Sequence, residues 1–182
     1  VASELWHFLG YQGAFIAYSW PTTAKKLAYF SDIENAQASA RALRQLVVYI
    51  SEESQAERIH IIGYSAGTRL VGRVLADIGM LAYGLDDDEV HRRARLGHVI
   101  LTGSDVDRAI IGGYILDGAL KVPASVTIYV SDADKALGVS KFVFTRQRSG
   151  QMAEPDEMGP RTRKFFEDTD KLRIIDVSYA EG

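Results

Sequence analysis

Five residues, Gly63-Tyr64-Ser65-Ala66-Gly67, constrain this chain more than any other stretch. A bare Gly-x-Ser-x-Gly decides little, because a chain of 182 residues with 16 glycines produces one by chance roughly one time in ten. The setting gives it weight. Ile59-His60-Ile61-Ile62 in front reads as a buried strand, and Leu70, Val74 and Ile78 behind recur at helical spacing. A serine on a tight strand-to-helix turn projects its hydroxyl above the sheet, and small flanking residues keep neighbouring backbones apart. Ser65 is therefore the candidate nucleophile. The amide of Ala66, opening the helix, is placed to donate to a developing oxyanion where the helix dipole is favourable. The plainer alternative is that glycines and a serine form a helix-start turn and nothing more.

The rest of the chain alternates between two periodicities. Residues 1–10 read as the end of a helix, with Leu5, Phe8 and Leu9 on one side. Gly13 opens the apolar run Ala14-Phe15-Ile16-Ala17-Tyr18, closed by Ser19-Trp20-Pro21; consecutive apolar positions predict a strand covered on both faces. A helix follows over 31–50, started by the capping box Ser31-Asp32-Ile33-Glu34 and striped by Ile33, Ala36, Ala40, Leu43, Val47 and Ile50. The strand at Arg58–Ile62 leads into Ser65, and helical spacing resumes over 66–79. Asp86-Asp87-Asp88-Glu89 followed by Arg92, Arg93 and Arg95 predicts a short helix whose charges complement its dipole. Further strands are expected at His98–Thr102, Ser125–Val130 and Leu172–Val177. Helical or irregular segments separate them near 105–120, 133–142 and 161–168, and 146–160 reads as an exposed loop. The alternation predicts a single α/β domain with a mostly parallel sheet and helices on both faces.

Composition narrows the function. A net charge of −3 and only short basic clusters, such as Arg161-Thr162-Arg163-Lys164, make no case for nucleic acid. No cysteine is present, which excludes disulfides, thiol catalysis and cysteine metal sites. No apolar run reaches the ~18 residues of a membrane span. The acidic run at Asp86–Glu89 reads as a helix start and not as a cation site, so no metal or other cofactor is called for.

A nucleophilic serine needs a base, usually histidine, which a carboxylate orients. In this architecture the chain order is Ser, then Asp or Glu, then His. Val126–Val130 leads into Ser131-Asp132-Ala133-Asp134, so a carboxylate there follows the strand end on the same sheet edge as Ser65. Asp134 is preferred, Asp132 stands second, and Asp105 in Gly103-Ser104-Asp105 is third; Asp132 and Asp105 read more simply as helix N-caps. The four histidines, His7, His60, His91 and His98, all precede Asp134. His60 reads as a packed or hydrogen-bonded core residue, His91 sits in the charged helix, and none has the order or setting of a base. The sequence opens at Val1 without a preceding strand, and stops just after its last strand. The expectation is a domain incomplete at both ends, its histidine loop and second oxyanion donor lying outside these residues.

With these residues in view, the chain resembles a little-studied family of bacterial α/β-hydrolases described as esterase/lipase-like proteins of unknown function. The resemblance rests on Phe15–Pro21, Tyr29–Ala36, Arg58-Ile59-His60-Ile61, Ser104-Asp105-Val106-Asp107, Tyr129–Leu137 and Ile175-Asp176-Val177-Ser178. It implies the α/β-hydrolase fold, Ser65 as nucleophile and Asp134 as the acid. It also implies a His-Gly oxyanion loop before the first helix and a histidine shortly after the last strand. The chain departs from the family pattern at Tyr64, where relatives often have histidine, and at Ala66, where methionine is common.

Two functions are then expected to compete. The first is hydrolysis of a small-molecule ester or other acyl compound through an acyl-Ser65 intermediate, an acyltransferase using the same parts. The second is a non-catalytic binding or envelope scaffold that keeps the fold. Tyr64 beside the nucleophile and Trp20 at its strand end are candidate pocket residues, Trp20 reading equally well as core. The stretch Gly79–Gly97 is placed to shape substrate access. The reading is of a soluble domain, with bacterial cytoplasm and cell envelope both left open.

Overall fold

The structure is a computed structural model, and it describes residues 2–21, 35, 38–103, 108–130 and 169–178. Within them the elements run α1 (Ala2–Phe8), α2 (Ala40–Glu53), β1 (Ile59–Tyr64), α3 (Ala66–Leu81), α4 (Asp87–Ala94), β2 (Leu96–Thr102) and α5 (Arg108–Leu116). A 3-10 turn at Ala119–Lys121, β3 (Ser125–Val130) and β4 (Leu172–Asp176) complete the order. The strands form one sheet in the order β1-β2-β3-β4, and every neighbouring pair is parallel. Each crossover returns the chain to the same end of the sheet, as parallel pairing requires. All four carboxyl ends therefore share one edge, with Tyr64 opposite Thr102, Thr102 opposite Tyr129 and Val130 opposite Asp176.

The strand register sorts side chains by face. Ile61, Gly63, Val99, Leu101, Val126, Ile128, Leu172 and Ile174 fall on one face through their paired positions. That face joins a core with Leu43 and Val47 of α2, Leu70, Val74 and Leu75 of α3, Val90 of α4 and Leu120 of the 3-10 turn. The opposite face is more open among the described residues, with Ile62 and Ile175 each 38% exposed.

The expected periodicities hold with small shifts of boundary. In α2 the stripe Ala40, Leu43 and Val47 is buried, and the helix runs on to Glu53; the capping box at Ser31 and Glu34 lies outside the described residues. Helix α3 extends two residues past the predicted end, to Leu81. Helix α4 starts as its charges predict: the Asp86 carboxylate accepts the Glu89 amide at 2.8 Å. Arg95, in the left-handed region at φ +51°, closes that helix, and its Nη1 donates to the carbonyls of Ser54 and Ala56. Its own carbonyl accepts the Ile59 amide at 2.8 Å, so α4 anchors the start of the strand that carries Ser65. The predicted segments at 133–142, 146–160 and 161–168 lie outside the described residues.

One expectation fails. Residues 14–18 form no strand: they pair with no strand among the described residues, and Ile16 is 59% exposed. An apolar run signals a demand for burial, whereas a strand exists only through a ladder to a neighbour. Tyr18 nevertheless packs against the core and donates its hydroxyl to the Ser39 carbonyl at 3.1 Å. Among the described residues, no helix is long and apolar enough to cross a membrane.

Helix α3 owes its close approach to the turn after α5 to glycine. A Cβ on Gly79 would sit 2.5 Å from the Gly118 carbonyl oxygen and 2.8 Å from that of Asp117, and backbone cannot swing aside as a side chain does. Gly79→Ala is expected to lower stability by about 1–3 kcal/mol, read as a fall in melting temperature and in urea midpoint. An unchanged midpoint would mean that the helix and turn separate at no cost.

Candidate active site

β1 ends at Tyr64 and α3 begins at Ala66, so Ser65 alone makes the turn. Its backbone lies at φ +50°, ψ −124°, the conformation of the first central residue of a type II′ turn, where glycine is the ordinary occupant. For serine this costs about 1–3 kcal/mol. Three hydrogen bonds hold it. The Ser65 amide donates to the Thr102 carbonyl at 3.0 Å, at the end of β2. The Ser65 carbonyl accepts the Thr68 amide at 2.9 Å and the Thr68 hydroxyl at 2.7 Å. The side chain of Ser65 is exposed above the sheet edge.

The two motif glycines act differently. A Cβ on Gly63 would stand 3.1 Å from the Gly67 carbonyl oxygen and from Leu101 Cδ2, and 3.2 Å from Val71 Cγ2. Gly63 thus lets strand, helix and neighbouring strand close around the turn. A Cβ on Gly67 would meet only Trp20 Cη2, at 3.5 Å, an ordinary contact. Trp20 therefore lies against the first turn of α3 although it ends no strand. Its indole Nε1 is buried and has no hydrogen-bond partner. Tyr64 is 67% exposed, and its ring flanks Gly103 at the end of β2. The amide of Ala66 opens the helix, in the first turn where helices provide no internal acceptor.

The predicted acids, Asp134, Asp132 and Asp105, lie outside the described residues. Their strands do not: β2 and β3 both end on the edge that carries Ser65. Asp176 also stands on that edge, where its Oδ1 accepts the Ser178 amide at 2.9 Å and the Ser178 hydroxyl at 2.6 Å. Among the described residues, no group of three metal-binding side chains could hold an ion.

None of the four histidines is hydrogen-bonded to Ser65. His60 lies five residues before it, roughly 16 Å back along the strand. It is exposed, not core, and stacks on His98 with ring centroids 5.2 Å apart. Its Nδ1 accepts the His98 amide at 3.0 Å, and His98 Nδ1 pairs with Ser125 Oγ at 2.6 Å. His91 Nε2 stands 3.2 Å from Lys171 Nζ, and His7 Nδ1 is 2.7 Å from the Tyr11 hydroxyl. Thr68 and the Thr102 carbonyl escaped the sequence reading. The Ser-x-x-Thr spacing was the available signal for Thr68; the Thr102 contact needs the strand register.

The family model described as "alpha/beta hydrolase of unknown function (DUF900)" matches residues 1–179. The chain belongs to this family. A relative within the curated proteins, the uncharacterized protein alr1448 of Nostoc sp., is 37% identical over 65 residues, 36% of this chain and 17% of that protein's length. The chain thus spans only a small part of that relative. No solved structure matches. The four-stranded parallel sheet with its helices is consistent with an α/β hydrolase, and the family read as a resemblance from the sequence agrees with this match.

Two measurements check this geometry. Ser65→Gly relieves the positive φ and is expected to raise stability by about 1 kcal/mol over Ser65→Ala; equal midpoints for the two variants would contradict the strained turn. Although His60 as a whole is exposed, partial desolvation of its ring first, then the neighbouring His98 and Arg58, hold the imidazole below its ordinary pKa of 6.5. The folded state therefore resists protonation, and this contribution to stability is complete above the ordinary value and lost as pH falls through the lowered one. The melting temperature is expected to drop as pH falls below the ordinary imidazole value, and His60→Gln to flatten that drop; a slope unchanged in the variant would contradict it.

Proposed function

We propose that this α/β hydrolase is a serine hydrolase of esterase or lipase type, acting on a small-molecule ester or acyl substrate through an acyl-Ser65 intermediate. One observation carries the reading: an exposed serine held at φ +50° between a parallel strand and a helix. A strained non-glycine backbone on the edge where all strands end has a use when the side chain must be presented to a ligand.

In the proposed reaction Ser65 Oγ attacks the substrate carbonyl carbon and gives its proton to a base. The tetrahedral oxyanion receives the Ala66 amide, aligned with the α3 dipole. The carbon–oxygen bond to the leaving alcohol breaks as the base returns the proton to it. Water then attacks acyl-Ser65 through the same base, releasing the acid and restoring the hydroxyl. The base in this reading is an imidazole oriented by Asp134; none of the four histidines of residues 1–182 is hydrogen-bonded to Ser65. β3 lies two strand spacings from β1, roughly 10 Å, which leaves room for one imidazole between a carboxylate after β3 and Ser65. Tyr64 and Trp20 flank the acyl site, the indole N–H of Trp20 being a donor with no partner to lose.

A fluorophosphonate probe followed by peptide mass spectrometry tests the assignment. The expected result is a single adduct on Ser65, absent in Ser65→Ala. Folded protein that carries the whole hydrolase domain and takes no adduct would overturn the hydrolase reading in favour of a non-catalytic scaffold.

A further inference from the structure

Away from the serine turn, α2, α3 and α5 enclose an open-sided cavity of about 350 Å³, lined by Ala38, Ala40, Arg41, Arg73, Asp77 and Tyr114. Its size lies at the small end of ligand pockets. The polar groups come from all three helices. Arg73 Nε donates to Asp77 Oδ1 at 2.8 Å, and the Asp77 side chain is only 15% exposed. That bond fixes the guanidinium by one nitrogen and leaves both Nη groups without a partner among the described residues. Arg41 is exposed and has no ion pair or hydrogen bond among the described residues. The Tyr114 hydroxyl likewise has no hydrogen-bond partner there.

Tyr114 is fixed in place by α3. A Cβ on Gly72 would stand 2.7 Å from its Cδ2 and 2.9 Å from its Cε2, so glycine lets that edge of the ring approach the helix closely. Burial pushes the phenol above its ordinary pKa, against the opposing pull of Arg73 and Arg69, with Asp77 adding to the rise. The hydroxyl therefore stays protonated at neutral pH and can donate. Two guanidinium charges against one carboxylate leave one unit of positive charge in the cavity, in a chain whose net charge is −3. Its available groups are donors, while its one carboxylate is already engaged.

We propose that this cavity is a binding site for a small anionic ligand, whose carboxylate or phosphate head group is clamped by Arg41 and Arg73 and receives a third hydrogen bond from Tyr114. Guanidinium nitrogens in pairs match the spacing of two oxygens on either group. Arg73 lies eight residues past Ser65 on α3, a rise of about 12 Å. The site is therefore separate from the nucleophile and does not depend on the hydrolase reading.

The test is a thermal-shift titration of the full chain with inorganic phosphate and, separately, with sodium acetate, ionic strength being held constant with chloride. A saturable rise in melting temperature is expected with at least one anion. Response to phosphate alone names a phosphate head group, to acetate alone a carboxylate, and to both a site that reads charge more than shape. In Arg41→Ala the apparent Kd is expected to weaken by about tenfold or more, and in Tyr114→Phe by severalfold. Arg41 is exposed, so its removal leaves the core intact. Asp77→Asn removes the cavity's one negative charge and is expected to tighten phosphate binding. No saturable shift with either anion overturns the proposal. So does an identical shift in Arg41→Ala and Tyr114→Phe, the mark of general salt stabilisation.

Discussion

The backbone of Ser65 depends on sheet and helix being formed together, and the exposure of its side chain at the sheet edge depends on that backbone. At φ +50° and ψ −124° a serine is strained by about 1–3 kcal/mol, and a lone strand or helix has no means to hold it there. The β1–β2 ladder stays in register through Tyr64 and Thr102, and the Thr102 carbonyl then takes the amide of Ser65 itself. On the other side, Thr68 closes the first turn of α3 onto the Ser65 carbonyl with both amide and hydroxyl. At about 1 kcal/mol net for each bond, the three together roughly offset the strain. The serine hydroxyl is thus aimed by the surrounding fold and not by its own rotamer alone.

Helix α3 carries this constraint into the rest of the molecule. It is the most buried helix described, with Thr68, Leu70, Val71, Val74, Leu75 and Ala76 all enclosed. Its glycines set the distances to its neighbours: Gly63 before it admits Val71 and Leu101, Gly72 admits the ring of Tyr114, and Gly79 admits the backbone at Gly118. A helix fixed at its start, middle and end has little freedom to rotate. That rigidity suits the proposed acyl-transfer site, in which a hydroxyl and a helix-terminal amide would face the same atom. It also holds the arginine cavity at a constant separation from the serine.

The two edges of the sheet carry different chemistry. The carboxyl edge displays Ser65, Tyr64, Thr102 and the capped carboxylate of Asp176. The opposite end of the strands carries the stacked pair His60 and His98, tied through a backbone amide and Ser125. Parallel pairing makes this separation unavoidable, because every strand points the same way and a residue early in β1 cannot reach the end of it. His60, the histidine nearest to Ser65 in sequence, therefore lies at the far end of the strand from it.

Local pattern was enough to locate most elements. Short runs rich in β-branched residues marked β1 to β4, three- and four-residue steps marked α2 and α3, and acidic and basic ends marked α4, because each signal reports forces that act within a few residues. The strand–serine–helix junction was legible for the same reason, and so was the family through its scattered short motifs. Tertiary structure alone decided that Tyr18 reaches the Ser39 carbonyl while residues 14–18 join no described strand, that Trp20 lies on Gly67, that Thr102 holds the serine amide, and that Arg41, Arg73 and Tyr114 share one cavity. Those are contacts between residues tens of positions apart. No periodicity in the sequence encodes them; they arise only when the chain packs and each element finds the neighbour that buries it.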